Sequence, residues 1–255
     1  MPTYLDGNLI FIHIPKCAGK SVRQSLKQCQ ISVHPESCEK PLEYRMHESL
    51  SEVQALFQEK WNKEKFEQAT IIATIRHPAE RIVSWWEYIK KANMLNFHNR
   101  EIARKIKSDL PKLKFRNVAV ACKHCTNYDY VKQFDSLSFD DYIDNLTEWK
   151  KSGCNYVNCP YHMLQPQTFW LRDVNGDIKI DKLDLFLVEN LNEIGSFIAE
   201  AGKIPNQLAY FETKRGSDHA KHLTTKSLKT LKNLYADDFR LYETIKFNKR
   251  DIKHV

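Results

Sequence analysis

Glycine is scarce in this chain of 255 residues, with only seven in all, and no internal repeat or low-complexity linker interrupts it. That excludes a linker-rich or repeat-built architecture and leaves a globular one. No run approaches eighteen apolar residues, so no membrane span is expected. The opening MPTYLDGNLIF lacks the basic start, apolar segment and small-residue cleavage site of a signal peptide. This points to the cytoplasm, although a lumenal protein expressed without its anchor would read the same way. The lone sequon Asn145-Leu146-Thr147 carries little weight, because such tripeptides arise by chance. Seven cysteines, an odd number, argue against a fully paired secreted scaffold. Four fall in two close pairs, Cys122/Cys125 and Cys154/Cys159, with His124 and His162 nearby. Zinc, an inter-pair disulfide and inert thiols are the three readings; the loose second spacing favours inert thiols.

What is present fits one α/β domain spanning 1–255. The chain is 42% hydrophobic and 28% charged, with a net charge of +7. A basic balance suits an anionic ligand or substrate. Arg100, Arg104, Lys105 and Lys107 make a polar helix face, read as solvated; the alternative is a channel for an anionic substrate. Nucleic acid fits poorly, because aromatic residues do not recur as a stacking platform.

Leu9–Ile14 is a short apolar run of strand length, stopped by Pro15. Lys16-Cys17-Ala18-Gly19-Lys20-Ser21 is a small-residue turn with two lysines, and Val22, Leu26 and Cys29 then share a helical stripe. Strand, tight basic turn and helix form a site for phosphate, because the free N–H groups and positive dipole of the helix start face the anion. Gly19-Lys20-Ser21 looks like the end of a Walker loop, but that motif needs glycine where this chain has Ile14.

The stretch Thr70–Lys91 repeats the theme. Ile71–Ile75 is a buried strand closed by Arg76-His77-Pro78, and Ile82, Val83, Trp86 and Ile89 form a helical stripe. A kinase would want aspartate at such a strand end to manage magnesium, and this strand delivers arginine. Between the two stretches, Leu42–Met46 alternates like a strand, His47-Glu48 follows, and Ser49-Leu50-Ser51-Glu52 reads as a helix cap. Ser138-Phe139-Asp140-Asp141 caps another helix. Asn175-Gly176-Asp177 is expected to turn a hairpin between Phe169–Arg172 and Ile178–Ile180. Leu183–Leu191 reads as a third buried strand running into a helix through Ala201. A long helix from Thr225 to Phe247 turns Leu228, Leu231, Leu234, Tyr235, Phe239 and Tyr242 inward.

His13-Ile14-Pro15-Lys16-Cys17-Ala18-Gly19-Lys20-Ser21 resembles the loop HIPKTAGTS of carbohydrate sulfotransferases, of the Golgi and bacterial type, with Cys17 and Lys20 replacing threonines. The segment Ile75-Arg76-His77-Pro78, with Arg81 and Ser84, resembles the same family's 3′-phosphate segment. Weaker likenesses are Tyr161–Leu171, similar to an H-x-x-P-Q-x-x-[YF]-L segment read as shaping the acceptor cleft, and Leu234–Tyr242 near the end. The resemblance implies a P-loop NTPase-like three-layer fold, with a central parallel sheet flanked by helices. It implies transfer of a sulfuryl group from 3′-phosphoadenosine 5′-phosphosulfate (PAPS) to a hydroxyl or amine of a carbohydrate or small molecule, without an obligatory metal.

By the same resemblance His47 is the general base, with Glu48 in reserve and His34 and His162 behind it. Lys16 stabilises the leaving phosphate oxygen. The backbone of 18–21, that is Ala18, Gly19, Lys20 and Ser21, holds the 5′-phosphate with the Lys20 and Ser21 side chains. Arg76 and Ser84 hold the 3′-phosphate, and Lys214-Arg215-Gly216 completes that pocket or is merely an exposed turn. Two rivals stand beside this reading: a P-loop kinase of small molecules, and a non-catalytic nucleotide- or glycan-binding module. No motif encodes the acceptor or the oligomeric state.

Overall fold

Three strands with near-continuous apolar sequence form the centre of the sheet. In the computed structural model, which describes residues 3–4, 8–28, 33–34, 47–60, 63–88, 90, 138–151, 164–202 and 219–252, these are β2 (Leu9–Ile12), β4 (Thr70–Ile75) and β5 (Asp184–Leu187). They run parallel, with Ile10 opposite Ile71 and Ala73 opposite Leu185. Two-residue strands β1 (Thr3–Tyr4) and β3 (Val33–His34) extend one edge, giving the order β3-β1-β2-β4-β5. Both pairings of β1 are antiparallel, so the sheet is parallel at its centre and mixed at that edge. Strands this short carry no periodicity, which is why the sequence does not announce them.

Successive side chains on a strand point to opposite faces, and both faces are covered here. Ile10, Ile12, Ile71, Ala73, Ile75, Leu185 and Leu187 share one core with Leu50, Val53 and Phe57 of α2 (Leu50–Lys60). Phe66 of α3 (Lys63–Gln68) joins that core. Leu9, Phe11, Ile72 and Phe186 share the other with Val22 and Leu26 of α1 (Gly19–Gln28). Burial on both faces explains the unbroken apolar runs, as α/β architecture requires.

Helix α4 (78–88) follows β4. Helix α5 (Phe139–Lys151) opens with a reciprocal cap: the Asp141 N–H donates to Ser138 Oγ at 3.2 Å and Ser138 Oγ donates to Asp141 at 2.6 Å. The expected cap at Ser49 also forms, with the Ser49 N–H donating to Glu52 at 2.6 Å. Beyond the short helix α6 (Gln167–Trp170), the expected hairpin is absent. The Asp173 carboxylate instead gathers the N–H groups of Asn175 and Asp177 at 2.9 and 3.0 Å, around Gly176 at φ 84°. These bonds close a local loop and leave no ladder partner for 169–172. As expected, β5 leads into a helix, α7 (Leu191–Gly202).

The long helix expected near the end is two helices. Helix α8 (Thr225–Leu234) stops, and α9 (Ala236–Ile252) restarts with Asp237 and Asp238 in its first turn, where carboxylates are favoured. Phe247 is 64% exposed. By its internal packing the chain divides into two compact units. One comprises Met1–Pro78, Gln165–Ser217 and Tyr235–Val255; the other comprises Ala79–Leu164 and Asp218–Leu234. The sheet and both its cores belong to the first. In the second, Trp86 packs edge-on against Phe139 at 5.5 Å, and Glu87 pairs with His219 and His222 at 3.4 and 3.3 Å. Among the described residues, no helix is long and apolar enough to cross a membrane.

Candidate active site

Strand β2 ends at Ile12, and the chain then curls. The Cys17 N–H donates to the Ile14 carbonyl at 3.2 Å. Lys16 and Ala18 both lie in the left-handed region, at φ 66° and 59°. For side-chain-bearing residues this costs roughly 1–2 kcal/mol each. Left-handed residues on either side of Cys17 are a backbone feature shared with anion-binding nests. The first carbonyl acceptor of α1 is that of Ala18, taken by the N–H groups of Ser21 and Val22 at 2.9 and 3.2 Å. The amides of Ala18, Gly19 and Lys20 stand ahead of it, at the positive end of the helix. Ser21 thus spends its N–H inside the helix and has its hydroxyl to offer. Lys20 is exposed, and Lys16 is half-buried.

Gly19 is dictated by packing. A Cβ there would fall 1.8 Å from His13 Cδ2 and 2.0 Å from Nε2. The His13 ring, 8% exposed, lies against the first turn of α1 and is stacked on Phe11. It also sets the place of His47, which precedes α2: the two rings are 4.3 Å apart, and His47 Nδ1 lies 3.0 Å from the His13 carbonyl oxygen. A carbonyl can only accept, so in the neutral ring Nδ1 carries the proton and Nε2 is the basic nitrogen. Trp170 meets the His47 ring edge-on at 6.4 Å. Glu48 follows, half-buried, immediately before the Ser49 cap.

Arg76 emerges from the end of β4, next to β2 in the sheet. Its Nη1 donates to the Lys16 carbonyl at 3.3 Å, bringing the arginine junction and the lysine turn together. The Thr74 hydroxyl donates to the Cys17 carbonyl. Beneath lies Gln167, fully buried. Its Oε1 accepts the Arg76 N–H at 2.9 Å and the Cys17 thiol at 3.1 Å, while its Nε2 donates to the Arg76 carbonyl at 2.9 Å. Asp238, also fully buried, accepts the N–H groups of Gln167 and Thr168 at 2.7 and 2.9 Å. Within the segment expected to shape an acceptor cleft, of which residues 161–163 lie outside the described residues, Gln167 turns into the core under the loop.

The structure therefore brings together Lys16, Ala18, Gly19, Lys20, Ser21, His47 and Arg76, all in the first unit. Ser84 sits half-buried on α4 in the second unit, as does Arg81, which is 1% exposed. His34 ends β3, paired with Thr3. Lys214, Arg215, Gly216, His162, the Leu42–Met46 segment and all four paired cysteines lie outside the described residues. Among the described residues, no group of three or more His, Cys, Asp or Glu is placed to hold a metal ion. His13, Thr74, Gln167 and Asp238 were missed as site residues. Three of them stood inside family-like segments: His13 opens the lysine-turn motif, Gln167 lies in Tyr161–Leu171 and Asp238 in Leu234–Tyr242.

A search of the curated proteins and a search of the solved structures returned no match. A family model described as the sulfotransferase family matches residues 5–244, a span that takes in the lysine turn, His47, the arginine junction, Gln167 and Asp238. The chain belongs to the sulfotransferase family, whose chemistry is the transfer of a sulfuryl group.

Proposed function

We propose that this transferase takes its sulfuryl group from PAPS and delivers it to a hydroxyl or amine of a carbohydrate or small molecule. The observation that carries the reading is the approach of Arg76 to the lysine turn, with Nη1 3.3 Å from the Lys16 carbonyl. Adjacent parallel strands thus present two cationic junctions side by side, which suits a nucleotide with a phosphate at each end of its ribose. The nest-like turn at Lys16–Ala18, on a strand–turn–helix unit, supports a P-loop-like classification of the fold. The family match runs through both compact units, which supports reading 1–255 as one transferase domain.

When bound, PAPS supplies an activated sulfuryl group on a mixed phosphate–sulfate anhydride. The amides of 18–20, with Lys20 and the Ser21 hydroxyl, would hold the 5′-phosphate. Arg76 would hold the 3′-phosphate; Ser84 is kept for it on the spacing of the motif alone, and Lys214-Arg215-Gly216 on the resemblance alone. Lys16 would place positive charge beside the departing phosphate oxygen. His47 Nε2 would accept the proton of the attacking hydroxyl or amine, its ring oriented by the bond from Nδ1 to the His13 carbonyl. Glu48 is the reserve base. No step in this scheme requires a metal.

Calorimetric titration tests the donor. The product 3′-phosphoadenosine 5′-phosphate should bind about thirtyfold more tightly than 5′-AMP, or roughly 2 kcal/mol, the scale of charge-assisted bonds to one phosphate. Arg76→Ala should remove most of that preference. Equal affinities in the wild type would overturn the assignment, and tighter binding of magnesium-ATP would favour the kinase reading.

A further inference from the structure

Gln167 and Asp238 are polar side chains of zero exposure. Burying an amide and a carboxylate is costly unless every polar atom is matched, and an aliphatic pair would serve stability as well. The two ends of this arrangement are specific. One end is the main chain of Arg76, gripped at both its N–H and its carbonyl, each at 2.9 Å. The other is the Cys17 thiol, 3.1 Å from the same Oε1 that accepts the Arg76 N–H. One side-chain oxygen is therefore shared between the phosphate-type turn and the arginine junction. Asp238 holds the main chain that carries it: its carboxylate takes the backbone N–H of Gln167, the backbone N–H of Thr168 and the Thr168 hydroxyl at 2.7, 2.9 and 3.0 Å. Two side chains from distant parts of the chain thus bridge the turn and the residue that opens the second junction.

We propose that Gln167 and Asp238 are positioning residues that space the lysine turn from Arg76 and so set the preference for a nucleotide carrying phosphates at both the 3′ and 5′ positions. This rests on the donor reading above. Neither residue touches the nucleotide, since both are sealed in the core. They act by holding the peptide planes from which the Arg76 guanidinium and the turn's amides project. A shift of a few tenths of an ångström between the junctions weakens a ligand that must meet both, and hardly affects one that meets a single junction.

The test measures the affinity ratio of 3′-phosphoadenosine 5′-phosphate to 5′-AMP by calorimetry in folded variants, alongside a core control. Gln167→Met, similar in volume, should lower the ratio by about tenfold or more. Ile143→Ala, a buried substitution on α5 in the other compact unit, should depress the melting temperature and leave the ratio unchanged. In an Arg76→Ala background, Gln167→Met should produce no further loss of the ratio, because the group it positions is gone. Should Gln167→Met fail to fold, Gln167→Asn decides: its amide is one methylene short of the Arg76 main chain, so the ratio should still fall. A wild-type ratio retained in the folded glutamine variant overturns the positioning role while leaving the donor reading intact. A wild type that does not discriminate between the nucleotides overturns both, and the two failures are thereby distinguished.

Discussion

Replacing Gly19 with alanine pits two effects of opposite sign against each other. Gly19 opens α1 without a positive φ, so alanine is conformationally welcome there and returns at most about 1 kcal/mol of helix preference. Against this stands the His13 ring, whose Cδ2, Nε2 and Cγ would lie 1.8, 2.0 and 2.6 Å from the new methyl carbon. Favourable carbon contacts sit near 3.5–4.0 Å, so the ring must move. It cannot move freely, because Phe11 lies on it and His47 is 4.3 Å away. Overpacking of this kind costs about 1–3 kcal/mol, and the depth of overlap places it at the upper end. The net loss is therefore about 2 kcal/mol, or a fall in melting temperature of roughly 4–8 °C for a chain of this size. Thermal denaturation followed by circular dichroism measures it. The cycle with His13→Ala identifies the cause: the double variant should be more stable than the two single losses predict, by about 1 kcal/mol or more. Gly19→Ala melting at or above the wild type, or strictly additive losses, would refute the argument.

Two further outcomes follow from the same geometry. His47→Ala should lower turnover by about two to four orders of magnitude while nucleotide affinity holds, and Glu48→Gln should cost much less; single-turnover transfer from saturating PAPS ranks them, and the reverse order would move the base to Glu48. At the start of α5, the Ser138 hydroxyl, and after it the Ser138 amide, hold the Asp141 carboxyl below its ordinary value of 3.8. A depressed folded-state value means stabilisation that is present above the unfolded value and lost as pH falls through the folded one. Ser138→Ala should accordingly lower the melting temperature at pH 7 and have a smaller effect at pH 3; an equal effect at both would remove the cap from the account.

What the sequence made legible is what repeats locally. The apolar runs of β2, β4 and β5 and the two reciprocal caps, Ser49 with Glu52 and Ser138 with Asp141, are encoded within a few residues of chain. The lysine turn and the arginine junction came through family-like spacing, and the parallel pairing of β2 with β4 puts them side by side. The misreadings share a different cause. The hairpin over 169–180 fails because Phe169 and Trp170 are helical and Asp173 gathers the amides of Asn175 and Asp177 into a local loop. The final helix reads as continuous because the apolar period runs through Tyr235, whereas the break is marked by the burial of Asp238. Gln167 shows in the sequence only within the weak family-like segment Tyr161–Leu171, and nothing there gives away its partners. Its partners stand 91 residues before it at Arg76 and 71 after it at Asp238, and such polar pairings leave no periodic trace.

The three-part composition of the first unit has a consequence for the order in which this protein can be made. During synthesis the sheet's two central strands and both cationic junctions emerge early, the segment with β5 and Gln167 next, and the segment with Asp238 last. Closing loops this wide adds little to the free-energy cost, which grows only with the logarithm of length. It does slow the search, since distant contacts form late. A nascent chain halted before Asp238 would display both junctions to the solvent and lack the carboxylate that secures their spacing.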